Sequence, residues 1–194
     1  MGLALVHSRA RVGVHAPDVR VEVHLAGGLP SMNIVGLPEA AVREAKDRVR
    51  AAIQCAQFEF PARRITVNLA PADLPKDGGR FDLAIALGIL AASGQLSVEA
   101  LDGWEFVGEL ALTGEIRAVD GVLAAAVAAG RAGRRLLVPP GNGCEAALAS
   151  QVEIRTARTL LEVCAALDAR KQLPRAVSPA CSPARMPDLA DVRG

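Results

Sequence analysis

The chain has 194 residues, 51% of them hydrophobic, and a formal net charge of +1. That length is enough for one well-buried domain plus a tail, and the near-neutral balance excludes a bulk electrostatic pull towards nucleic acid or membrane. No run approaches the ~20 consecutive apolar residues that a bilayer span needs.

The start, MGLALVHSRA, has neither a basic leader nor a long apolar run, so no signal peptide is expected. Cys55, Cys144, Cys164 and Cys181 form no CxxC pair and sit near no histidine. They fit neither a zinc site nor a disulfide framework, and a reduced, cytoplasmic setting is expected.

Leu3 to Val6 is a short strand candidate. Asp18 to Leu25 alternates Val19, Val21, Val23 and Leu25 with Asp18, Arg20, Glu22 and His24, the pattern of a half-buried strand. Ala26 to Pro30 reads as a turn and Met32 to Val35 as the returning strand, so a hairpin is the simplest pairing. A helix is expected from Pro38, suited to a first turn, to about Cys55. Val42, Ala45, Val49, Ala52 and Ile53 form its buried stripe, and Glu39–Arg43 and Glu44–Arg48 are acid-to-base pairs on its solvated face.

The stretch RITVNLAPADLPKDGGRFDLAIALGIL, Arg64 to Leu90, holds a strand, a loop rich in Pro, Gly and Asp, and a helix apolar on every side. Trp104 to Leu112, a turn at Thr113-Gly114 and Glu115 to Val119 read as a second hairpin. Leu123 to Ala132 is an alanine-rich helix, and Arg135 to Val138 a short strand. Asn142 is placed to cap a short helix over Glu145 to Ala149. Val152 to Arg155 is a last strand, and Thr159 with Glu162 forms a capping box on a last helix to Leu167. From Arg170 onward prolines punctuate a segment with few large apolar residues, expected to be a mobile linker. Hairpins mixed with helices argue for an α+β, or mixed α/β, domain over 1–169 with helices packed on a mixed sheet, followed by a linker over 170–194.

Chemistry-bearing motifs are sparse. Lys76 precedes Gly78-Gly79, whereas a P-loop lysine follows its glycines, and no G-x-x-x-x-G-K-[ST] occurs. The bland alternative is that the glycines turn the chain onto the helix, with Asp82 as its cap. No serine lies in a G-x-S-x-G setting. His7, His15 and His24 all fall early in the chain and lack the spacing of ligands on one helix, so no metal site is expected. Arg43, Lys46 and Arg50 share a helical face and Arg63-Arg64 follow, a patch suited to phosphates or simply to solvent.

Three stretches carry a resemblance: VEVHLAGGLPSMNIVGLPEAAVREAKDRVRAAI, RITVNLAPADLPKDGGRFDLAIALGILAASGQL and FVGELALTGEIRAVDGVLAAA. Over about Gly2 to Leu167 the chain resembles the N-terminal domain of the ComM/YifB family of magnesium-chelatase-like competence proteins. The resemblance implies a fold similar to the Lon-protease C-terminal domain and to a ribosomal small-subunit protein domain. It also implies that an AAA+ ATPase module, with ATP and magnesium, follows; Asp188 to Gly194 looks like its opening. The whole protein would then be a hexameric ring that acts on branched or single-stranded DNA, driving branch migration during natural transformation and recombination.

Lon-type peptidases carry a serine in P-K-D-G-P-S-A-G and a lysine in the following hairpin-to-helix segment. Pro75-Lys76-Asp77-Gly78 matches the first half of that motif, but Arg80 stands at the serine position and Leu123 at the lysine position. No lysine lies between Lys76 and Lys171. Without nucleophile or base, the resemblance implies a non-proteolytic relative with no catalytic residue and no cofactor of its own. Three roles follow. One is an assembly and DNA-contacting collar using Arg43, Lys46, Arg50, Arg63, Arg64 and Arg80, with Lys76 and Arg80 free to hold a partner such as phosphate. The second is a purely structural oligomerisation or regulatory module, and the third and weakest a peptidase.

Overall fold

The computed structural model describes residues 2–36, 39, 42, 44–169 and 172–177. Nine strands are formed among them: β1 (Gly2–Arg9), β2 (Asp18–Ala26), β3 (Ser31–Val35), β4 (Arg64–Ala70), β5 (Trp104–Phe106), β6 (Glu109–Leu110), β7 (Ile116–Arg117), β8 (Arg135–Val138) and β9 (Ile154–Thr156). The helices are α1 (Ala45–Cys55), α2 (Asp82–Ala92), α3 (Val122–Arg131), α4 (Gly143–Ala146) and α5 (Leu160–Leu167). The expected mixed α/β class is observed: seven strands form one sheet in the order β3-β4-β2-β1-β5-β8-β9, and β6 and β7 make a separate ribbon.

Alternation in β2 does what alternation should. Val19, Val21, Val23 and Leu25 are buried, and each apolar residue of β4 faces one of them, Leu69 against Val21, Val67 against Val23 and Ile65 against Leu25. These antiparallel pairs leave Glu22, His24 and Asn68 on the opposite, half-buried face, where the Asn68 amide donates to Glu22 at 2.9 Å. A one-residue slip would turn every valine to that polar face, so the register is strongly specified.

The hairpin expected between β2 and β3 is not formed. β2 pairs antiparallel with β1 on one side and β4 on the other, and β3 lies beyond β4, parallel to it. The reason is apolar supply. In β3 only Ile34 is buried, so it suits a sheet edge, whereas β4 has a full apolar row to match β2. Gly36 then lets the chain pass tight against β4: its φ is +97°, and a Cβ there would lie 2.2 Å from the Leu69 carbonyl oxygen. A side chain is excluded by both backbone and space.

Helix α2 is the centre of the core. Every residue from Asp82 to Ala91 is buried, which is why its sequence shows no polar stripe. Gly88 allows its close approach to the sheet, since a Cβ there would meet the Val23 methyl at 2.6 Å. α1 buries Ala45, Val49, Ala52 and Ile53 as its spacing predicts, with Val42 also buried. Pro38, the expected first helical residue, and Arg43 lie outside the described residues.

The parallel half of the sheet is covered on both faces. Leu136 and Val138 of β8 pack with Val122, Ala125, Ala126 and Ala129 of α3, while Leu137 joins the main core with Leu160, Val163 and Cys164 of α5. The long strand expected from Trp104 breaks after Phe106. β5 stays in the main sheet, and at Gly108 the chain departs to run over the start of α2, its N–H bonded to the Arg80 carbonyl and its carbonyl to the Leu83 N–H. Thr159 caps α5 as expected, accepting from the Glu162 N–H at 3.2 Å. Asn142 heads α4 without capping it; its amide instead brackets the Val119 backbone, accepting from N–H at 2.9 Å and donating to C=O at 2.8 Å.

Part of the expected linker is docked. Residues 172–177 run antiparallel beside β9, where the Thr156 N–H donates to the Pro174 carbonyl and the Ala176 N–H to that of Ile154, both at 3.0 Å. The Arg155 guanidinium adds a bond to the Leu173 carbonyl at 2.9 Å.

Candidate functional site

The loop between β4 and α2 carries Lys76 and Arg80, α2 opens with Asp82, and each of the three has a role that its sequence neighbourhood did not disclose. Lys76 is expected to be free for a partner; it is fully buried instead. Its ammonium donates to the Gly36 carbonyl at 2.8 Å and to the Pro71 carbonyl. Burial lowers its pKa, partly opposed by the charge of Asp73. Lys76 therefore ties the exit of β3 to the exit of β4, spending its donors on backbone acceptors that the tight passage at Gly36 leaves without strand partners. No phosphate reaches it in this conformation.

Asp82 does not cap α2. The capping position is Phe81, and no side chain caps it. The Asp82 carboxylate turns inward, accepting from Arg48 Nε at 2.7 Å and Nη2 at 3.2 Å, and from the Leu110 N–H at 3.2 Å. Burial raises its pKa to about 6, against the opposing pull of the Arg48 hydrogen bond and charge. Arg48, expected to pair with Glu44 on the solvated face of α1, thus bonds across to α2. This bridge fixes α1, the start of α2 and β6 together. A lone aspartate before an apolar run gives no sequence signal of it.

Arg80 is 4% exposed. One guanidinium nitrogen donates to the Asp120 carbonyl at 2.9 Å, and its Nε has no partner. Burial lowers its pKa, countered by the charge of Asp77 and reinforced by that of Arg11. The bond to Asp120 brings Arg80 to the turn that begins α3, whose second residue is Leu123. The two positions singled out by the Lon comparison therefore share one corner of the fold, as a buried cation and a half-buried apolar side chain. Beside Arg80 opens a recess of about 210 Å³, lined among others by Arg11, Asp77, Gly79, Glu109 and Asp120.

The basic patch is assembled in part. Lys46 and Arg50 of α1 and Arg63, just before β4, line one groove of about 250 Å³ against Ser31, Met32 and Asp47. Arg50 lies over the Phe60 ring, 4.6 Å from its centroid, so an aromatic surface stands beside the basic residues where none is interleaved in sequence. Arg64 opens β4, opposite Ser31 and Ala26; it is exposed but outside that groove. Arg80 and Lys76 belong to the other loop and do not join it. Arg43 lies outside the described residues.

A further ionic cluster has no counterpart in any motif. Glu105, fully buried, accepts from Arg9 Nε at 2.7 Å and Nη2 at 2.5 Å and from Arg134 Nε at 2.7 Å. Arg134 reaches on to Asp18 at 2.6 Å, where His7 also bonds at 3.2 Å. For Asp18 burial works upward, but the His7 hydrogen bond and the charges of Arg134, His7 and Arg9 outweigh it and hold the carboxyl below its ordinary value.

Comparison with known proteins places the chain. The family model described as subunit ChlI of Mg-chelatase matches residues 21–142. Competence protein ComM of Haemophilus influenzae is 56% identical over 176 residues, covering 91% of this chain and 35% of the relative. The chain belongs to the ComM/YifB family. An uncharacterized protein YifB of Salmonella typhimurium is 50% identical over 195 residues, and an uncharacterized protein of Mycobacterium tuberculosis 38% over 196; this chain covers 38% and 39% of them. It thus spans less than two-fifths of the length of these ComM/YifB relatives.

Within the matched region of this ComM/YifB chain lie the basic groove, the Asp82–Arg48 bridge and, except for Arg11, the lining of the Arg80 recess. Among the described residues no group of three or more His, Cys, Asp or Glu is placed to hold a metal ion, and no helix is long and apolar enough to cross a membrane.

Proposed function

We propose that this domain is the non-proteolytic N-terminal part of a ring-forming AAA+ ATPase that acts on DNA in the cytoplasm, and that it contributes subunit assembly and DNA contact. Branch migration in transformation and recombination is the activity that this reading assigns to the whole protein. ATP and magnesium belong to the ATPase module, and the ring is a hexamer. Family membership supports the competence-related setting, as does the name of the Haemophilus relative. The observation that carries the DNA contact is the convergence of Lys46, Arg50 and Arg63 on one groove at the sheet edge. A groove with a few cations per chain becomes a multivalent surface in a ring, so near-neutral net charge per chain is compatible with binding. Arg80 and Leu123 at the Lon dyad positions supply no nucleophile and no base.

The test is salt-dependent binding of single-stranded and branched DNA by the chain. If Arg50 and Arg63 each meet a phosphate, Arg50→Glu with Arg63→Glu lowers the slope of log K against log salt by roughly 1.4 on single strands. An unchanged slope sinks the assignment.

A structural role without DNA is the second reading. It is favoured by an apolar groove of about 830 Å³ between the 12–17 turn and the outer face of α3, where Val14 and Val127 are exposed. Intact oligomers that fail to bind DNA at low salt would decide for it.

A further inference from the structure

Buried charges in folded proteins are paired, because an isolated ion loses far more hydration than a single neutral hydrogen bond returns. Arg80 departs from that rule. It is 4% exposed, its one hydrogen bond goes to a neutral carbonyl, and its Nε is buried with no partner. Among the described residues no carboxylate lies within salt-bridge distance of it.

The neighbouring acids are committed elsewhere. Asp77 and Asp120 lie 3.7 Å and 3.5 Å from Arg11, and Glu109 lies 3.8 Å from Arg117. Three carboxylates thus pair with two other arginines, Arg11 and Arg117, and Arg80 faces the recess without a direct ion pair of its own. Asp77, Gly78 and Gly79, from the loop that leads into α2, form part of the wall of that recess. At about 210 Å³ it falls below the range of about 300–1,000 Å³ typical of pockets for drug-sized ligands. It suits a single oxyanion with a few waters rather than a nucleotide.

We infer that the recess beside Arg80 is a binding site for one small oxyanion, a carboxylate or a phosphate group, which supplies the direct ion pair that the fold withholds from this guanidinium. The inference does not depend on DNA contact, which uses a different groove, lined by Lys46, Arg50 and Arg63. A carboxylate would come from an acidic side chain or chain terminus of a bound protein segment, a phosphate from solution. Both present the same planar or tetrahedral oxygens to a guanidinium fork, and with three carboxylates around the rim a monoanion is better tolerated than a dianion.

The probe is the 194-residue chain itself, titrated with sodium acetate and separately with inorganic phosphate at constant ionic strength set by sodium chloride. The Arg80 Nε–H resonance is followed by NMR. A saturable shift with either anion is expected, with a dissociation constant on the order of 1 mM. Saturation by acetate ahead of phosphate identifies a carboxylate site, and the reverse order a phosphate site. A shift that tracks chloride equally, or no saturable shift with either anion, overturns the inference. Arg80→Gln weakens binding by about tenfold or more; calorimetric binding that survives this substitution in a folded variant also overturns it. Because the resonance is read in the unaltered protein, a variant that fails to fold leaves the first test standing. Arg50→Glu with Arg63→Glu leaves the anion titration unchanged whatever it does to DNA binding, so the two proposals fail separately.

Discussion

Arg9 and Arg80 are both at least nine-tenths buried, at 6% and 4% exposure, yet the protein treats them in opposite ways. Around Arg9 nearly every donor is used. Nε and Nη2 grip Glu105, Nη2 also donates to the Ala128 carbonyl at 3.3 Å, and Nη1 donates to the Ala16 carbonyl at 3.1 Å. Arg134 completes the acid's coordination and links on to Asp18. This cluster joins β1 and β5 to the segment after α3, and its charges cancel within the fold. Around Arg80 there is one carbonyl and a rim of acids held by other arginines. A buried cation satisfied internally is a structural joint; one left unsatisfied is held for something outside the chain.

The largest expected effect tests the satisfied side. Glu105→Gln keeps the shape but removes the charge that Arg9 and Arg134 share, leaving uncompensated guanidinium in the interior. A loss of about 3–5 kcal/mol in urea denaturation is expected. A loss under about 1 kcal/mol would erase the contrast with Arg80, since both sites would then tolerate unpaired charge alike.

Asp82 sits between the two extremes, paired with Arg48 yet with its pKa raised by burial to about 6. The sign follows from linkage. Between the ordinary value of 3.8 and about 6 the folded state holds a proton that the unfolded state has released. Stability from this group is therefore full below about pH 4 and falls as pH rises to about 6, by up to about 3 kcal/mol. Asp18, with its lowered pKa, works in the opposite direction at lower pH. The measurement is the stability difference between the parent chain and Asp82→Asn across pH 4–7. A difference independent of pH would show that Arg48 compensates Asp82 as fully as Glu105 is compensated.

What the sequence disclosed follows the periodicity of its apolar residues. The valines of β2, the stripe of α1 and the all-round apolar run of α2 each have one way to be buried, and the folded chain uses it. Strand order was not legible. β2 and β3 are adjacent in the chain, but the match of Val21, Val23 and Leu25 to Leu69, Val67 and Ile65 decides the partner, and that match spans some forty residues. Charged residues were least legible of all. Lys76, Arg48, Asp82, Arg9 and Glu105 look like ordinary solvated residues in one dimension. Four of them are buried and Arg48 is half-buried, because a carbonyl or a counter-charge distant in sequence meets each of them there. Lys46, Arg50 and Arg63 were found because helical spacing and proximity to β4 place them near one another.

Lys76→Met offers a mid-sized test of the same comparison. The substitution keeps the length of the side chain and strands the Gly36 and Pro71 carbonyls. About 2 kcal/mol of stability is expected to be lost, with DNA binding unaltered at any salt concentration. A loss of DNA affinity in a fully folded Lys76→Met chain would return this lysine to the set of phosphate contacts.

The smallest expected effect is the most discriminating. Arg80→Met removes the unsatisfied Nε and a desolvated positive charge, and gives up one bond to the Asp120 carbonyl, which faces a recess open to water. Replacing an uncompensated buried ion by an apolar side chain of similar length is neutral or stabilising in general, so a change within about 1 kcal/mol of zero is expected in anion-free buffer. Added phosphate or acetate then stabilises the parent chain against urea and leaves Arg80→Met unmoved, because a ligand raises stability only where the folded state binds it. A destabilisation as large as that of Glu105→Gln would mean that Arg80 is a structural joint after all, with its counter-charge already supplied by the field of Asp77, Asp120 and Glu145. Near-neutral substitution together with a ligand response confined to the parent chain would fix Arg80 as a residue kept for what it binds.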